Sequence, residues 1–355
     1  MDEIKRIREE IDRIDDRILS LLNKRAKLAI KIGKLKKKSM LHTYAPEREK
    51  AIIERLIAKN EGPFPNSALK FIYREIFSVS RSLEEPLKIA CLGPLATFTH
   101  LAAVKHFGSS AIYLPEESIK AVFEAVLRDR AHFGVVPIEN STEGVVSYTL
   151  DMFMDYDLYI SGEIMLEINH NLLSISGDRT KIKRIYSHPQ ATAQCRRWLE
   201  KNMPGIEIIE ATSTARAAEL ASRDPEGAAI AGDLAAQYYD LEFVERHIED
   251  FKDNYTRFLV ISKTTVPKTG KDKTSLMLSL KDRPGALHDL LSPFKKERIN
   301  LTKIESRPSK TKAWQYIFFI DLEGHIEDRR VKKALEKVKE ICIDFKFLGS
   351  YPRHD

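Results

Sequence analysis

The chain has 355 residues, of which 43% are hydrophobic and 31% charged, and this length suits two or three soluble domains with separate cores. No apolar run approaches the ~18 residues that a membrane helix needs, and charged residues follow Met1 directly, so we expect a cytoplasmic protein without a signal sequence or membrane segment. The three cysteines are scattered, which argues against a disulfide framework and a paired-cysteine metal site.

The first 86 residues carry the whole net charge of +6, with 20 Lys and Arg against 14 Asp and Glu. Their pattern predicts three helices: about 2–37, a second from Pro46 to about residue 60, and a third after the cap candidates Asn66 and Ser67. The first helix repeats apolar residues at steps of three and four. Two short helices cannot cover so long a stripe, so we expect a homodimer or a homotetramer.

Arg25 interrupts that stripe where another apolar residue is expected, and a buried unpaired charge is costly. An internal ion pair, for instance with Glu49, would compensate it. A pocket for a small dianion would do so equally, because arginine forks match carboxylates. A DNA-binding helix fits less well, since its cations belong on the solvent face. The residues alone leave the first two interpretations open.

The chain changes character at Pro86. From Leu87 to about Ser262, short β-rich runs alternate with alanine-rich helical stretches, which is typical of an α/β fold with sites at the carboxyl ends of strands. The run TTVPKTGKDK then indicates a linker. The last segment predicts the order βαββαβ, the ferredoxin-like plan.

Residues 1–86 resemble the all-helical chorismate mutases over the runs RIREEIDRIDDRILSLLNKRAKLAIKIGKLK and PEREKAIIERL. The resemblance implies a dimer with shared pockets, in which the arginine nearest the N-terminus acts across the dimer. Its pocket positions correspond to Arg8, Arg25, Lys36, Arg48, Glu49, Ser80 and Glu84. The implied rearrangement of chorismate to prephenate is pericyclic, so it needs cations that hold carboxylates rather than a nucleophile or metal. If Glu84 faces the ether oxygen, it must be protonated to donate a hydrogen bond.

Residues 87–264 resemble prephenate dehydratases through GPLATFTHLAA, VVPIENSTEGVV, SHPQATAQCRRWL, STARAA and DNYTRFLVI, taken in order. The implied fold has two α/β lobes around a cleft, like a periplasmic binding protein. Polar residues expected in that cleft are Thr97, Thr99, Asn140, Ser141, Thr142, Ser187, Gln190 and Thr256, although each could simply cap a helix. By resemblance, Thr256 assists the departing hydroxide, Arg257 anchors a carboxylate and Phe258 packs beside the ring. Ala96 stands where the family usually has glycine.

Residues 274–352 resemble the ACT regulatory domain through RPGALHDLLSPF and NLTKIESRPSK. The resemblance implies L-phenylalanine bound between paired ACT domains and inhibiting the dehydratase. The positions implied to bind it are Gly285, Ala286, Leu287, Asn300, Leu301, Glu305, Ser306, Arg307 and Pro308. A purely structural ferredoxin-like module is the alternative.

The combined interpretation is a multidomain chain, with an all-α mutase domain, a two-lobed α/β dehydratase domain and an α+β ACT domain. We expect it to convert chorismate to prephenate and prephenate to phenylpyruvate under feedback by L-phenylalanine. No P-loop, dinucleotide glycine motif or zinc spacing occurs, so we expect no cofactor, no metal and no nucleic-acid partner. The rival is a non-catalytic amino-acid sensor, which the charged set around Arg25 argues against.

Overall fold

The structure, a computed structural model, describes residues 2–38, 44–308 and 316–354. Contacts divide the chain into two compact units. The first contains residues 1–87 with residues 107–112, and the second contains residues 88–106 with residues 113–355.

The first unit contains three helices: α1 (Asp2–Lys38), α2 (Pro46–Ala58) and α3 (Asn66–Glu84). Pro46 occupies the first turn of α2, where its missing N–H leaves no bond unmade. Pro65 is the N-cap residue of α3, so the predicted caps Asn66 and Ser67 instead lie inside the helix. Helix α3 packs against both α1 and α2.

The apolar stripe of α1 remains uncovered within the chain. Its members are between 43% and 64% exposed: Ile4, Ile7, Ile11, Ile14, Ile18, Leu21, Leu28, Ile32 and Leu35. Only near the C-terminal part of α1 does α3 give cover, where Ala29 and Gly33 are buried. A Cβ on Gly33 would stand 2.9 Å from the Cβ of Glu84, so glycine permits this close approach of the helices.

The second unit begins with an α/β lobe whose sheet has the order β2-β1-β3-β11-β5, with β4 paired to β3. The strands are β1 (Lys88–Leu92), β2 (Ile112–Glu116), β3 (Phe133–Asn140), β4 (Gly144–Val145), β5 (Tyr159–Glu167) and β11 (Tyr255–Ser262). Its helices are α4 (Phe98–Phe107), α5 (Ile119–Leu127) and α6 (Ser147–Asp155). Strand β1 is parallel to β3, whereas β11 is antiparallel to both β3 and β5.

A second lobe is inserted between β5 and β11, and its sheet has the order β10-β6-β9-β7-β8. The strands are β6 (Asn171–Ser174), β7 (Arg184–Ser187), β8 (Glu207–Glu210), β9 (Gly227–Ala231) and β10 (Glu242–Glu245). The helices are α7 (Pro189–Gln194), α8 (Arg196–Asn202), α9 (Thr214–Ala221) and α10 (Asp233–Tyr238), with a 3₁₀ turn at Arg179–Lys181. The chain crosses between the lobes at residues 168–170 and 246–254.

The C-terminal part has the predicted βαββαβ order: β12 (Asp272–Ser279), α11 (Ala286–Lys296), β13 (Leu301–Pro308), β14 (Tyr316–Glu323), α12 (Arg329–Ile341) and β15 (Asp344–Pro352). Its sheet has the order β13-β14-β12-β15. One face packs under α11 and α12 around Leu290, Phe294 and Leu335. The other face joins the core of the first lobe, where Phe319 and Tyr351 belong to one cluster with Phe123 and Phe153.

Gly349 allows β15 to lie directly on β5. Its φ of +145° is unfavourable for other residues, and a Cβ there would stand 2.2 Å from the carbonyl oxygen of Ile160. This sheet face is therefore fitted to the first lobe at backbone contact.

Candidate active sites

Arg25 lies between α1 and α3 in the first unit, as the helical interpretation requires. Its Nη1 donates to Ser80 Oγ, and its guanidinium stands 5.5 Å from the centre of the Phe77 ring. Burial lowers the pKa of Arg25, although Glu49 nearby acts to raise it. Among the described residues, no carboxylate oxygen lies within 4 Å of this guanidinium. The predicted internal pair between Arg25 and Glu49 is therefore not formed.

Two ion pairs lie close to Arg25. Lys36 Nζ is 3.1 Å from Glu84 Oε2, so two predicted pocket residues contact each other. Glu49 pairs with Arg81 instead of Arg25. Burial raises the pKa of Glu49 even though Arg81 opposes the shift. The neighbourhood holds both cations and acids, and within the described part of the chain none of these acids forms an ion pair with Arg25.

Arg81 is a residue that sequence interpretation missed. It is 5% exposed, its Nη2 donates to the carbonyl of Phe107 at 2.5 Å, and it faces the Tyr44 ring. In the sequence it lies outside the apolar stripe of α3, and its partners come from other segments. Nothing in the run SVSRSLEE distinguishes it from a solvent-exposed arginine.

Arg8 and Arg48 are exposed, and Arg8 lies far from Arg25. Arg8 and Arg25 are seventeen positions apart on α1, which corresponds to ~25 Å at ~1.5 Å per residue. Arg8 therefore cannot reach a ligand held by Arg25 of its own chain.

A cleft of about 610 Å³ lies between the two lobes of the second unit. Of the predicted residues, the cleft is lined by Thr97, Thr99, Asn140, Gln190, Thr256 and Phe258. Residues that the sequence interpretation did not single out also line it, among them His170, Gln194, Ser213 and Asn254. Gln194 and Asn254 lie within the resemblance motifs, but their letters alone do not separate lining residues from neighbours.

Thr256 on β11 lies opposite Asn140 on β3 in the sheet register. Asn140 Nδ2 is 2.8 Å from Thr256 Oγ1, while Asn140 Oδ1 accepts from the backbone N–H groups of Thr142 and Glu143 at 2.9 and 3.1 Å. The backbone fixes which end of the amide is oxygen, so Asn140 must donate to Thr256. The Thr256 hydroxyl thus accepts from Asn140 and keeps its own hydrogen for another acceptor.

Three of the predicted cleft residues have structural bonds instead. Ser141 Oγ accepts from Tyr255 N and donates to Asp253 O, and Thr142 Oγ1 donates to Asn140 Oδ1. Ser187 is fully buried and donates to the next carbonyl. None of the three is among the cleft-lining residues, so their expected direct role is corrected to support of the neighbouring loop and strand.

The turn before α4 contains Ala96 in the left-handed region, with φ of +68°. Glycine adopts this conformation without strain, whereas alanine needs support from its surroundings. Ala96 N donates to His100 Nδ1 at 2.9 Å, and Thr97 Oγ1 donates to Leu92 O at the same distance. The departure from glycine therefore keeps the turn.

Arg257 does not line the cleft, which corrects the expectation that it anchors a substrate carboxylate. It is 5% exposed on the opposite face of β11. Its Nε is 2.9 Å from Glu163, and its Nη1 is 3.3 Å from Glu139 and 2.7 Å from Asp321. Its Nη2 donates to Tyr351 at 3.0 Å. Arg257 thus joins the first lobe to the C-terminal sheet.

The cleft lining described by the structure contains no lysine or arginine, and its carboxylates are Glu117 and Glu143. It does contain helix starts, among them those of α4 and α9. Thr97 precedes α4, and Ser213 caps α9 by accepting from Arg216 N at 3.0 Å. Helix N-termini present N–H groups and partial positive charge, so both lobes offer a site for an anion.

The predicted effector residues fall into two separate groups. Gly285, Ala286 and Leu287 lie at the end of the sheet where β12 finishes, whereas Asn300 and Leu301 lie at the opposite end, where β13 begins. Arg307 Nη1 donates to Ser147 Oγ at 2.5 Å, and its Nη2 is 3.2 Å from Asp151. Arg307 therefore binds α6, which differs from the direct effector contact expected from the sequence.

Across the described ranges, no cluster of three or more His, Cys, Asp or Glu is arranged to hold a metal ion. Within those same ranges, no helix combines the length and the apolar character that crossing a membrane requires.

The three parts of the chain match three family models. Residues 7–85 match type II chorismate mutase, residues 89–266 match prephenate dehydratase, and residues 274–340 match the ACT domain. The chain is 53% identical to a bifunctional chorismate mutase/prephenate dehydratase of Aquifex aeolicus, over 99% of both chains. It is 45% identical to that of Pseudomonas aeruginosa, over 99% of this chain and 98% of the relative. The crystal structure of an Arthrobacter aurescens prephenate dehydratase in complex with L-Phe has a TM-score of 0.70 and 36% identity, covering 75% of this chain and 90% of that one.

The two-lobed cleft, the separate helical unit and the ferredoxin-like sheet define a multidomain biosynthetic enzyme with a regulatory module. The chain belongs to the family of bifunctional chorismate mutase/prephenate dehydratases. It therefore has both activities, the rearrangement of chorismate and the decarboxylating dehydration of prephenate.

Proposed function

We propose that the cleft between the two lobes is where prephenate is converted to phenylpyruvate, with Thr256 as the hydrogen-bond donor to the leaving hydroxyl. The bond between the ring and its carboxylate breaks, and its electrons enter the ring. The hydroxyl at the opposite ring carbon leaves as hydroxide with the electrons of its C–O bond and takes up one proton from solvent to become water, and carbon dioxide is released. The polarity of Asn140 supports this role, because it leaves the Thr256 hydrogen available.

Prephenate carries two carboxylates, and the described lining offers no lysine or arginine for them. The starts of α4 and α9 supply N–H groups from opposite lobes. We assign one carboxylate to each helix start, so that the substrate spans the cleft and favours approach of the lobes. Phe258, which is 2% exposed in the cleft wall, would pack beside the ring.

The experiment uses two variants with reciprocal effects on purified full-length chain. Thr256→Val should lower prephenate turnover at least a hundredfold, because the isosteric side chain cannot donate. The same variant should keep the chorismate mutase rate. Arg25→Ala should do the reverse. Prephenate and phenylpyruvate are followed separately, and near-normal turnover by Thr256→Val would remove Thr256 from the reaction.

For the helical unit we propose a dimer formed by antiparallel α1 helices, with the two mutase pockets shared between chains. The exposed apolar stripe supports such pairing. Full overlap of two 37-residue helices brings residue 8 of one level with residue 32 of the other. Arg8 of the second chain would then approach the space between Arg25 and Lys36. Chorismate would be held by these cations, with Arg48, Glu49, Ser80 and Glu84 around it.

For the C-terminal module we propose binding of L-phenylalanine between two paired copies, with inhibition of the dehydratase. Asn300 and Leu301 lie at the opposite end of the sheet from Gly285, Ala286 and Leu287, so a second copy is needed to bring the two groups together. The edge strand β13 supports this, because alternate residues such as Ile304 are exposed. L-Phenylalanine should raise the melting temperature of the intact chain, and Asn300→Ala should lose that shift. An equal shift in both proteins would contradict this arrangement.

We further propose domain limits of 1–86, 87–264 and 274–352, and a cytoplasmic location. The family matches over residues 7–85, 89–266 and 274–340 support these limits.

A further inference from the structure

His170 lies on the crossing segment between β5 and β6 and lines the cleft. Its side chain is almost completely buried, with 2% of the residue exposed. Nε2 is 2.7 Å from Gln194 Oε1, whereas Nδ1 has no hydrogen-bond partner within the part of the chain that the structure describes. A buried ring nitrogen without a partner is uncommon, because the lost hydrogen bond costs free energy.

A chain of side-chain amides fixes the tautomer of this ring. Asn140 Nδ2 donates to Asn254 Oδ1 at 2.8 Å, in addition to its bond with Thr256. Asn254 must then use Nδ2 toward Gln194 Oε1 at 3.2 Å. Gln194 Oε1 is therefore an acceptor, and His170 Nε2 must carry the hydrogen. In the neutral ring, Nδ1 is left as a bare lone pair.

Burial lowers the pKa of His170, while the bond to Gln194 and the charge of Glu249 oppose that shift. Glu249 Oε2 also accepts from His170 N at 2.8 Å, and its other oxygen faces His247 at 3.5 Å. The edge of Phe98 covers the ring at a centroid distance of 5.5 Å. The free protein therefore holds His170 as neutral imidazole above its lowered pKa.

A doubly negative substrate changes this balance, because the cleft-lining residues that the structure describes include no lysine or arginine. Its ionisable lining groups are Glu117, Glu143, His170 and His188. The Nδ1 atom of His188 accepts from Gln190 N at 3.3 Å, so that nitrogen is already used as a helix cap. His170 is thus the titratable residue of the lining whose ring keeps an unbonded nitrogen, Nδ1, and this nitrogen is itself buried in the free protein.

We infer that His170 binds a proton together with prephenate, so that its Nδ1–H group pairs with a substrate carboxylate while Nε2–H stays on Gln194. One proton is taken from solvent when the dianion binds, and it is returned when phenylpyruvate leaves. His170 is then a binding and specificity residue that favours dianions over monoanions. The inference rests on the proposed placement of prephenate in this cleft.

The test measures KM for prephenate between pH 6.5 and pH 9 with full-length protein. Proton uptake on binding makes KM rise with pH, by up to tenfold per unit, until the pKa of the complex is passed. His170→Gln retains a donor toward Gln194 and cannot ionise, so its KM should be raised and should not vary with pH. His188→Asn keeps a capping acceptor and should retain the wild-type slope. A flat wild-type profile, or a slope that persists in His170→Gln, would overturn the inference.

A binding measurement covers the case in which His170→Gln is unstable. Prephenate is titrated into the Thr256→Val chain in two buffers of different ionisation enthalpy, which gives the number of protons taken up. The same titration of the Thr256→Val/His170→Gln double variant measures the protons taken up at other sites, including the helical unit. The proton uptake of Thr256→Val minus that of the double variant should approach one proton at pH 7.5. If the double variant does not fold, ¹⁵N spectra of the histidine rings in the Thr256→Val chain must show one ring changing from the Nε2–H tautomer to imidazolium when prephenate binds. No difference in protons or no such ring would contradict the inference. Near-normal turnover by Thr256→Val would instead refute the placement of the dehydratase reaction.

Discussion

Two backbone N–H groups decide the direction of a hydrogen bond at the centre of the cleft. They bind Asn140 Oδ1, and Asn140 Nδ2 is thereby directed at Thr256 Oγ1. A threonine hydroxyl is too weakly acidic to act as a strong general acid, so its value lies in a hydrogen that is correctly aimed. In our proposal, the loop that follows β3 orients the Thr256 hydroxyl through Asn140.

Asn140→Asp tests this orientation with almost no change in shape. A carboxylate in that position accepts the Thr256 hydrogen, which is then lost to the substrate, and it also adds negative charge beside a dianion. We expect kcat for prephenate to fall by about tenfold to a hundredfold, corresponding to ~1.4–2.8 kcal/mol. The mutase rate of the same protein is the internal control. If kcat is unchanged while KM alone rises, Asn140 affects binding but does not orient Thr256.

At the scale of elements, the three residues of the TRF motif lie on two different faces of strand β11. Side chains alternate along a strand, so Thr256 and Phe258 face the cleft while Arg257 faces the C-terminal sheet. The resemblance treated all three as one site, and the alternation within YTRFLVIS already argued against it. Two partners of Arg257, Asp321 and Tyr351, lie far along the chain from it. The sequence could therefore not indicate that Arg257 contacts them.

Arg257 and its acidic partners stabilise the contact between the first lobe and the C-terminal sheet. Tyr351, Asp321 and Glu163 together outweigh burial and raise the pKa of Arg257 above its ordinary value. Burial would raise the pKa of Glu139, but Lys303 and Arg257 lower it below its usual range. A lowered carboxyl pKa gives stability above the unfolded pKa that is lost as pH falls through the folded pKa, so acid should weaken this contact.

Arg257→Met leaves Glu163 and Asp321 buried without their main cation. Breaking a buried ion pair by removing one partner costs about 3–5 kcal/mol, so the free energy of unfolding should fall by that order in urea titrations. Arg257→Lys keeps the positive charge but loses the forked guanidinium. Its free energy of unfolding should therefore lie between those of the wild type and Arg257→Met. The mutase rate should be unaffected. A loss below ~1 kcal/mol for Arg257→Met would show that Lys273 and Lys303 suffice to neutralise the cluster.

For the whole molecule, local sequence patterns predicted the order of the helices and strands. They did not predict the contacts between segments that are distant in sequence. The predicted start of α2 at Pro46 and the βαββαβ order of the last segment are confirmed, because both depend on neighbours in sequence. The pairing of Arg81 with Glu49 and the approach of Gly349 to Ile160 join distant segments. Single side chains carry no mark of such partners, so only coordinates reveal them.

The uncovered stripe of α1 is the largest feature that one chain leaves unexplained. Isoleucine and leucine recur there over most of the helix, and neither α2 nor α3 covers these side chains. Full burial of one such side chain is worth about 1.5–3 kcal/mol, which favours association. Arg8 is also exposed and lies ~25 Å from Arg25. Our proposal explains this position by the second chain, whose pocket this arginine would enter. A second chain would cover the stripe and complete the pocket together.

Ile18→Glu places a charge near the midpoint of that stripe, where antiparallel helices would cross. We expect sedimentation to show dissociation of the helical contact, and mutase activity to fall at least a hundredfold because Arg8 of the second chain is withdrawn. Dehydratase turnover should be retained, since its cleft lies within one chain. Asn23→Glu adds the same charge at an exposed position outside the stripe and should leave assembly and both rates unchanged. If Ile18→Glu keeps its mutase rate at concentrations where sedimentation gives the mass of one chain, the pocket is complete in a single chain and the shared site is excluded.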